Sequence, residues 1–531
     1  MNSQKLKIGI VLNSDYISKN LIDLIEWCEK NQQLEIVSLI NIQQKLSWVT
    51  HLKDFPIILL WSFILFIESI KFRQIKMKAS RAVSFSSDLK RQMTINLDAK
   101  GLSLELKELA KLNLDLCIAT EPNNFLSSLK DFTKKGVLTF CSDDISTPRD
   151  SPLGFDESLN KKDNTGFSIL HLLPNSKEVF LIQEGSFPSH SYFSMNQENI
   201  LLRRNFYLQE LLIKIAKTKE VSAGVKVTSD LSPYQNIPSL RKQVIYLIHL
   251  LSLSISRLKS VVMNTRDSWH VALSNDSWDN LNMNNAFIIK NPKNHFLADP
   301  FVINEENKNY CFMEDYDFSS SKGHIVAYEI TSNGVKKLGI ALKEEFHLSF
   351  PFLFRYNSKI YMLPETSENN DIRIYESIEF PLKWKLSRVI KSNLFAVDSM
   401  VFEYQDKWWL FSNINPINGP DTCSELSIFY GDNPLTEEWT PHPNNPVIFS
   451  PSSARNGGLI IEKDSIFRVG QKQIYGTYGG GGFSVNEIIE LNTSSYKEKE
   501  VLKIKADFYK NIKGAHHMHS NGVITAFDFL K

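Results

Sequence analysis

A chain of 531 residues is too long for one hydrophobic core, so two or three domains are expected. Its 42% hydrophobic and 22% charged residues are those of a folded globular protein, and 60 basic against 59 acidic residues supply no global field for a nucleic acid, so no nucleic-acid partner is expected. The five cysteines (Cys28, Cys117, Cys141, Cys311, Cys423) are odd in number and form no C-x-x-C pair, which argues against a disulfide framework or a zinc site and fits a cytoplasmic protein.

The N-terminus, MNSQKLKIGIVLNSD, enters a strand directly, without the apolar run and cleavage site of a signal peptide, so secretion is not expected. KLKIGIVLNSD reads as a buried strand, YISKNLIDLIEWCEKNQ as an amphipathic helix and LEIVSLIN as a second strand, the opening of an α/β unit with a parallel sheet. LDLCIATEP and GVLTFCSDD add two strands, with the helical NNFLSSLKDFTKK between them. A Rossmann-like α/β domain over 1–220 is expected. Only Gly9 stands where a G-x-G-x-x-G motif would follow the first strand, so no cofactor is expected.

Within this region FPIILLWSFILFI, Phe55 to Ile67, is almost wholly apolar but shorter than the roughly 20 residues that span a bilayer. A helix buried between domains or at a homo-oligomer interface accommodates it, and so does shallow insertion at the inner face of a membrane. A second apolar helix, VIYLIHLLSLSIS from 244, lies between Arg241, Lys242 and Arg257, Lys259 and reads as part of a helical connector over 221–264, or as a second interfacial element.

The run from Gly136 to Pro188 resembles the formyltransferase family on Gly136, Pro152, Gly154, Thr165 and Gly166, which match that family's scaffold positions. The resemblance implies an Asn-x-His pair on a strand and a nearby Asp, where this chain carries Thr139, Cys141 and, near the last position, Lys177. Formyl transfer needs a group to take the amine proton and a donor for the oxyanion. Thr, Cys and Lys do not supply these by the same mechanism, so the fold without the activity is expected. Another reading gives Cys141, beside Ser142, Asp143 and Asp144, a different acyl or formyl transfer, although a lone cysteine at a strand end is more often structural.

From about 265 onward the chain repeats. Phe301, Phe352 and Met400 each stand nine residues before an aromatic (Tyr310, Tyr361, Trp409), with a polar turn between two apolar runs. GHIVAYEI, DIRIYESI and ELSIFYGD supply a third strand to each unit. Antiparallel units separated by 51 and 48 residues fit propeller blades. Weaker copies at RNGGLIIEKDSIFRVGQ and HHMHSNGVITAFDF bring the total to five, and SWHVALSNDSW at 268 is positioned to close the ring as an outer strand of the last blade. An all-β five-bladed propeller over 265–531 is the expectation.

LADPFV, KGHIVAYEI, HLSFPFLF, IYMLPETS, AVDSMVF, KWWLF and EEWTPHPNNPV resemble the propeller-like domain at the N-terminus of plant glucosamine inositolphosphorylceramide transferases and of bacterial surface-polysaccharide proteins. At fold level the region is also similar to five-bladed arabinanase-type glycoside hydrolases. The first resemblance implies a glycan context: surface-polysaccharide or glycoconjugate synthesis, with a sugar nucleotide, lipid-linked sugar or glycan as ligand. The second implies three carboxylates at the channel mouth, of which this chain has Asp in blades one and three and Ser349-Phe350-Pro351 in blade two.

In the repeat register, the residue two before each anchor should line one mouth: Asp299, Phe350, Asp398 and Asn456. Asp299 and Asp398 are the candidate acid and base or nucleophile, with Glu365 as the third carboxyl; backbone capping is the competing role for both aspartates. His347, Ser349, Arg455, Asn456 and His516 are the candidate ligand contacts, Arg455 because its planar fork binds two oxygens of a phosphate or carboxylate. YGGGGFSVNEI lacks a G-K-[ST] ending and reads as a hairpin turn; HHMH, without further ligands, is not read as a metal site. A transferase or its sugar-binding component is expected, with a glycosidase using Asp299 and Asp398, or a non-catalytic scaffold, as alternatives.

Overall fold

The computed structural model describes residues 5–12, 16–43, 55–71, 82–84, 94–98, 109–142, 150–229, 231–262, 266–332, 334–417, 421–462 and 465–531. Asp143 and Asp144, proposed neighbours of Cys141, lie outside them. The chain forms two compact units, Met1–Val262 and Met263–Lys531.

The first unit is built on one eight-stranded mixed sheet. Its strands are β1 (Leu6–Leu12), β3 (Leu34–Gln43), β5 (Thr94–Asp98), β6 (Leu116–Ala119), β7 (Val137–Cys141), β8 (Asn164–Leu172), β9 (Val179–Pro188) and β10 (Val225–Val227), while β2 (Tyr16–Ser18) and β4 (Ala82–Ser84) pair apart from it. The order is β10-β9-β8-β7-β6-β1-β3-β5; β5, β3, β1, β6 and β7 are parallel and β8 to β10 run antiparallel. Apolar runs such as LCIA and VLTFC are buried throughout, as a sheet covered on both faces requires. The main helices among the described residues are α1 (Lys19–Lys30), capped by the Ser18 hydroxyl accepting the Leu21 N–H, α2 (Phe55–Lys71), the single turns α3 (Leu126–Leu129) and α4 (Phe155–Leu159), α5 (Phe193–Thr218) and α6 (Leu240–Val262). The segment expected to act as a separate connector instead packs as part of this unit: Tyr246 and Leu250 of α6 share a core with Trp61 and Ile64 of α2 and with Phe155 and Phe193.

The second unit is a ring of five antiparallel sheets. Blade I is β13 (His295–Glu305) to β16 (Gly334–Leu342), blade II β17 (Ser349–Tyr356) to β20 (Lys383–Ser392), blade III β21 (Ala396–Tyr404) to β24 (Thr440–Pro441), and blade IV β26 (Asn456–Glu462) to β29 (Ser495–Ile504). Blade V joins β30 (Met518–Ser520) and β31 (Thr525–Leu530) to β11 (Trp269–Ser274) and β12 (Phe287–Ile288) from the start of the unit, in the order β12-β11-β31-β30. The inner strands β13, β17, β21, β26 and β30 touch in sequence and β30 touches β13 again, so the ring is closed as a five-bladed propeller, with SWHVALS in the closing role expected of it.

The repeat has a physical origin. The hairpin turns Glu306-Asn307, Asn357-Ser358 and Gln405-Asp406 have positive φ at both residues, the type I′ geometry that matches the twist of flanking strands. Aromatic residues then fill the seams: Trp408 packs edge-on against Phe354 and Tyr356 of the neighbouring blade, while Trp409 lies within its own.

Candidate functional site

Each inner strand of blades I to IV carries a bulge at one repeat position, with two residues facing one on the partner strand: after Ala298, Ser349, Val397 and Asn456. The first bulged residues are Asp299, Phe350, Asp398 and Gly457. The sequence register therefore slips by one in blade IV, where the Gly457-Gly458 pair makes the bulge and Asn456 is equivalent to Ser349. Asp299, Phe350 and Asp398 all have φ between 46° and 51°, a left-handed conformation that L-residues hold only when their surroundings impose it.

One group of side chains centres on His516. Its Nδ1 is 2.7 Å from Asp528 Oδ1 and its Nε2 3.4 Å from Asp299 Oδ1. Asp528 also accepts the N–H of His516, His517 and Asp299, and Asp299 Oδ2 accepts the N–H of Phe350. These carboxylates thus clasp blade V to blade I and blade I to blade II. Asp299, His516 and Asp528 offer ligand atoms all within 4.8 Å of one another; Asp528 Oδ1 and Asp299 Oδ2 already accept backbone N–H groups, while Asp299 Oδ1 faces His516.

The other group centres on Arg455. Its Nε donates to Asp398 Oδ2 at 2.6 Å, one Nη to Thr422 Oγ1 at 2.6 Å, and the other lies 3.8 Å from Glu365 Oε2. Gln471 Nε2 adds a 3.2 Å bond to Asp398, and Glu365 is within reach of a carboxyl–carboxyl hydrogen bond to it. The guanidinium fork is thus occupied by this chain's own carboxyls rather than held open for a phosphate. Asn456, fully buried, bonds Asp398 O and the Asn413 side chain and serves packing. Glu314 lies 3.5 Å from His347, whose Nδ1 accepts the Gly323 N–H; Ser349 sits opposite Glu365 across the first two strands of blade II.

Five buried carboxyls, Asp299, Glu314, Glu365, Asp398 and Asp528, thus surround one arginine, Arg455, and two histidines, His347 and His516. Burial, together with Asp528 and Asp398, raises Asp299 to about 7 against the opposing pull of His516; burial and Glu365 raise Asp398 to about 7, which Arg455 only partly offsets. Burial and the same carboxyl neighbours push Glu314 well up. Burial works against the imidazolium of His516, but Asp528 outweighs it and the pKa is raised. Arg455 is pushed further up: burial opposes its charge, and Asp398, Tyr478, Cys423 and Glu365 together outweigh it. His517 and His519 are held neutral by burial behind this layer, both rings against Phe301, so HHMH divides between two faces as the alternation expects.

Sequence reasoning singles out neither Asp528 nor the aromatic edge of the mouth. Trp269 stacks on His516 with centroids 3.9 Å apart, and Tyr478 lies edge-on to His516 and 5.2 Å above the Arg455 guanidinium. Tyr478 belongs to the YGGGG run, which is a long connection between β27 (Ser465–Gln471) and β28 (Phe483–Asn492), not a tight hairpin, and it is fastened to blade V by the Ala515 N–H donating to Gly479 O. Ring closure was the signal available for Trp269, since it brings the start of the second unit onto β31 of blade V.

Residues 258–523 match the family described as glucosamine inositolphosphorylceramide transferase 1, N-terminal. Over 212 residues the chain is 37% identical to glucosamine inositolphosphorylceramide transferase 1 of Oryza sativa subsp. japonica, covering 39% of this chain and 28% of that protein, and 38% identical to the Arabidopsis thaliana protein of the same name, covering 39% and 27%. This chain thus spans little more than a quarter of the curated relatives it matches. Among solved structures it is similar to Zg3597, a family 117 glycoside hydrolase of Zobellia galactanivorans (12% identity, 50% of this chain and 90% of that one, TM-score 0.32), and to a Penicillium chrysogenum alpha-L-arabinanase (12% identity, 40% and 69%, TM-score 0.30). Likenesses that weak add nothing to the architecture read from the strand pairing. With half its length matched, the chain belongs to the family of the N-terminal domain of glucosamine inositolphosphorylceramide transferase 1.

Proposed function

We propose that this protein acts in glycoconjugate synthesis as a sugar-directed transferase or its sugar-binding component, and that the sugar binds at the propeller mouth. The observation that carries the reading is the Asp398–Glu365–Arg455 group beside the Trp269, His516 and Tyr478 rings. Hydroxyl-rich ligands are recognised by fixed carboxyl and amide groups next to an aromatic face. The excess of carboxyls favours a glycan end or an amino sugar over the diphosphate of a sugar nucleotide. The relatives' name, which contains glucosamine, fits the same class. The test is calorimetric titration of glucosamine, N-acetylglucosamine and UDP-N-acetylglucosamine into the wild type and Asp398→Asn. Binding of at least one sugar by the wild type, weakened on the order of tenfold in the variant, is the expected result; equal binding by both would remove the site from Asp398.

A second reading, a glycosidase-type enzyme, draws on the raised pKa of both aspartates. A carboxyl near 7 is able to hand over a proton at neutral pH while its partner is ionised. Hydrolysis of aryl glycosides that is lost in Asp398→Asn while sugar binding persists would select this reading over the first.

In the same proposal the first unit is a Rossmann-like, formyltransferase-like domain without formyl transfer. Supporting this, its parallel core has the strand order β5-β3-β1-β6-β7, reversing direction beside β1. The Thr139 hydroxyl is fully buried and makes no hydrogen bond, and Lys177 lies exposed between β8 and β9. Stabilisation of the protein by 10-formyltetrahydrofolate would count against it.

A further inference from the structure

α2 and α6 are apolar on two opposite faces each. One face of α2 (Trp61, Ile64, Glu68) is buried, with the Glu68 carboxylate accepting from the Tyr246 hydroxyl of α6 and, at 3.0 Å, from the Ser194 N–H. The other face carries Phe55, Leu59, Phe63, Phe66 and Ile70, a stripe at three- and four-residue spacing whose members are 50–62% exposed. α6 repeats the pattern: Tyr246, His249 and Leu250 are buried, while Leu240, Val244, Ile248, Leu251, Ile255 and Leu258 form a stripe exposed from 45% to 69%. A water-facing helix side ordinarily carries the charged residues, so each stripe lacks its natural solvent.

The charges beside these stripes have one sign. α2 and α6 contain a single carboxylate, Glu68 of α2, and it is buried; the basic residues of α6 are Arg241, Lys242, His249, Arg257 and Lys259. Lys242 is tied to Asp150 and Asp156 at 2.8 Å each, whereas Arg241 and Lys259 fall beside the exposed stripe on the helical wheel. In sequence, α2 runs into KFRQIKMKASR, five basic residues and no acid. No helix among the described residues is long and apolar enough to cross a membrane. Both helices are therefore suited to lie along a surface rather than to span it.

We infer that the paired stripes of α2 and α6 dock the protein on an anionic lipid bilayer, the aromatic and aliphatic side chains entering the acyl boundary and the basic residues resting on acidic headgroups. This goes beyond the sugar reading and stands apart from it, because no residue of the propeller mouth is involved.

The test is flotation of the full-length protein with vesicles of phosphatidylcholine alone and of phosphatidylcholine with phosphatidylserine. The wild type is expected to float with the anionic vesicles. Phe63→Glu with Phe66→Glu should weaken partitioning on the order of tenfold or more. Arg241→Glu with Lys259→Glu should cost roughly tenfold on anionic vesicles only. Both pairs should leave the melting temperature and sugar titration unchanged, since all four residues are exposed and remote in sequence from the mouth. Failure to float, or flotation insensitive to the phenylalanine pair, overturns the inference; a wild-type dimer that the phenylalanine pair disperses, without vesicle binding, assigns the stripes to a second copy of the chain instead.

Discussion

Blades I and III place an aspartate at the same bulge in the same left-handed conformation and use it differently. The Asp299 carboxylate holds the Phe350 N–H, and its own N–H is held by Asp528; it is a joint between blades. Among the described residues the Asp398 carboxylate accepts from the side chains of Arg455 and Gln471 and from no backbone group. Repeat symmetry fixes where a residue stands, while the unrepeated neighbours, Arg455 in blade IV and Asp528 in blade V, decide what it does. Asp299 is therefore a joint between blades, and Asp398 is the carboxyl that the proposed function gives to the ligand.

Asp528→Ala strips the acceptor from three backbone N–H groups and the nearest counter-charge from His516, and should destabilise the propeller by about 3–5 kcal/mol in denaturant unfolding. Gly458→Ala should cost roughly 2–3 kcal/mol: φ is +126° and a Cβ would stand 2.2 Å from Met518 O of the neighbouring inner strand, where no side chain can yield. This crowding explains why blade IV uses glycines at the bulge.

A pH series sharpens the contrast. The folded-state pKa of Asp398, about 7, lies above the unfolded value near 3.9, so the native state holds the proton more tightly and this group's contribution to stability falls as pH rises between those values. Asp398→Asn removes that fall. Relative to the wild type, the variant should therefore gain on the order of 2 kcal/mol between about pH 5 and about pH 8, measured by denaturant unfolding at each pH. The smallest effect is the stability of Asp398→Asn near pH 7, within about 1 kcal/mol of the wild type, because the amide retains the bonds from Arg455 and Gln471.

Blades I to III were legible because each has a two-residue type I′ turn, an anchor and an aromatic at fixed spacing, all dictated by local geometry. Blade IV was shifted by one residue because its glycine bulge leaves no side-chain mark on the pattern. Blade V was fainter still, its strands coming from both ends of the unit. Asp299 and Asp398 were picked out by the repeat register, and the structure brings Glu365 and Arg455 beside Asp398 and His516 beside Asp299. Asp528, Trp269 and Tyr478 were not, since they arrive by ring closure and by the long connection in blade IV. In the first unit short apolar runs revealed β1, β3, β6 and β7, half of the sheet, but α5 was not anticipated: Asn196, Asn199, Arg203 and Arg204 interrupt its apolar pattern and are nevertheless buried.

The most direct test of the division between the two aspartates is sugar titration and thermal unfolding of Asp299→Asn and Asp398→Asn side by side with the wild type, using the sugar that the wild type binds. The account predicts that Asp299→Asn lowers the melting temperature more but still binds below it, whereas Asp398→Asn melts near the wild type and binds at least roughly tenfold more weakly. The opposite pattern, binding lost with Asp299 and kept without the Asp398 carboxylate, would contradict it.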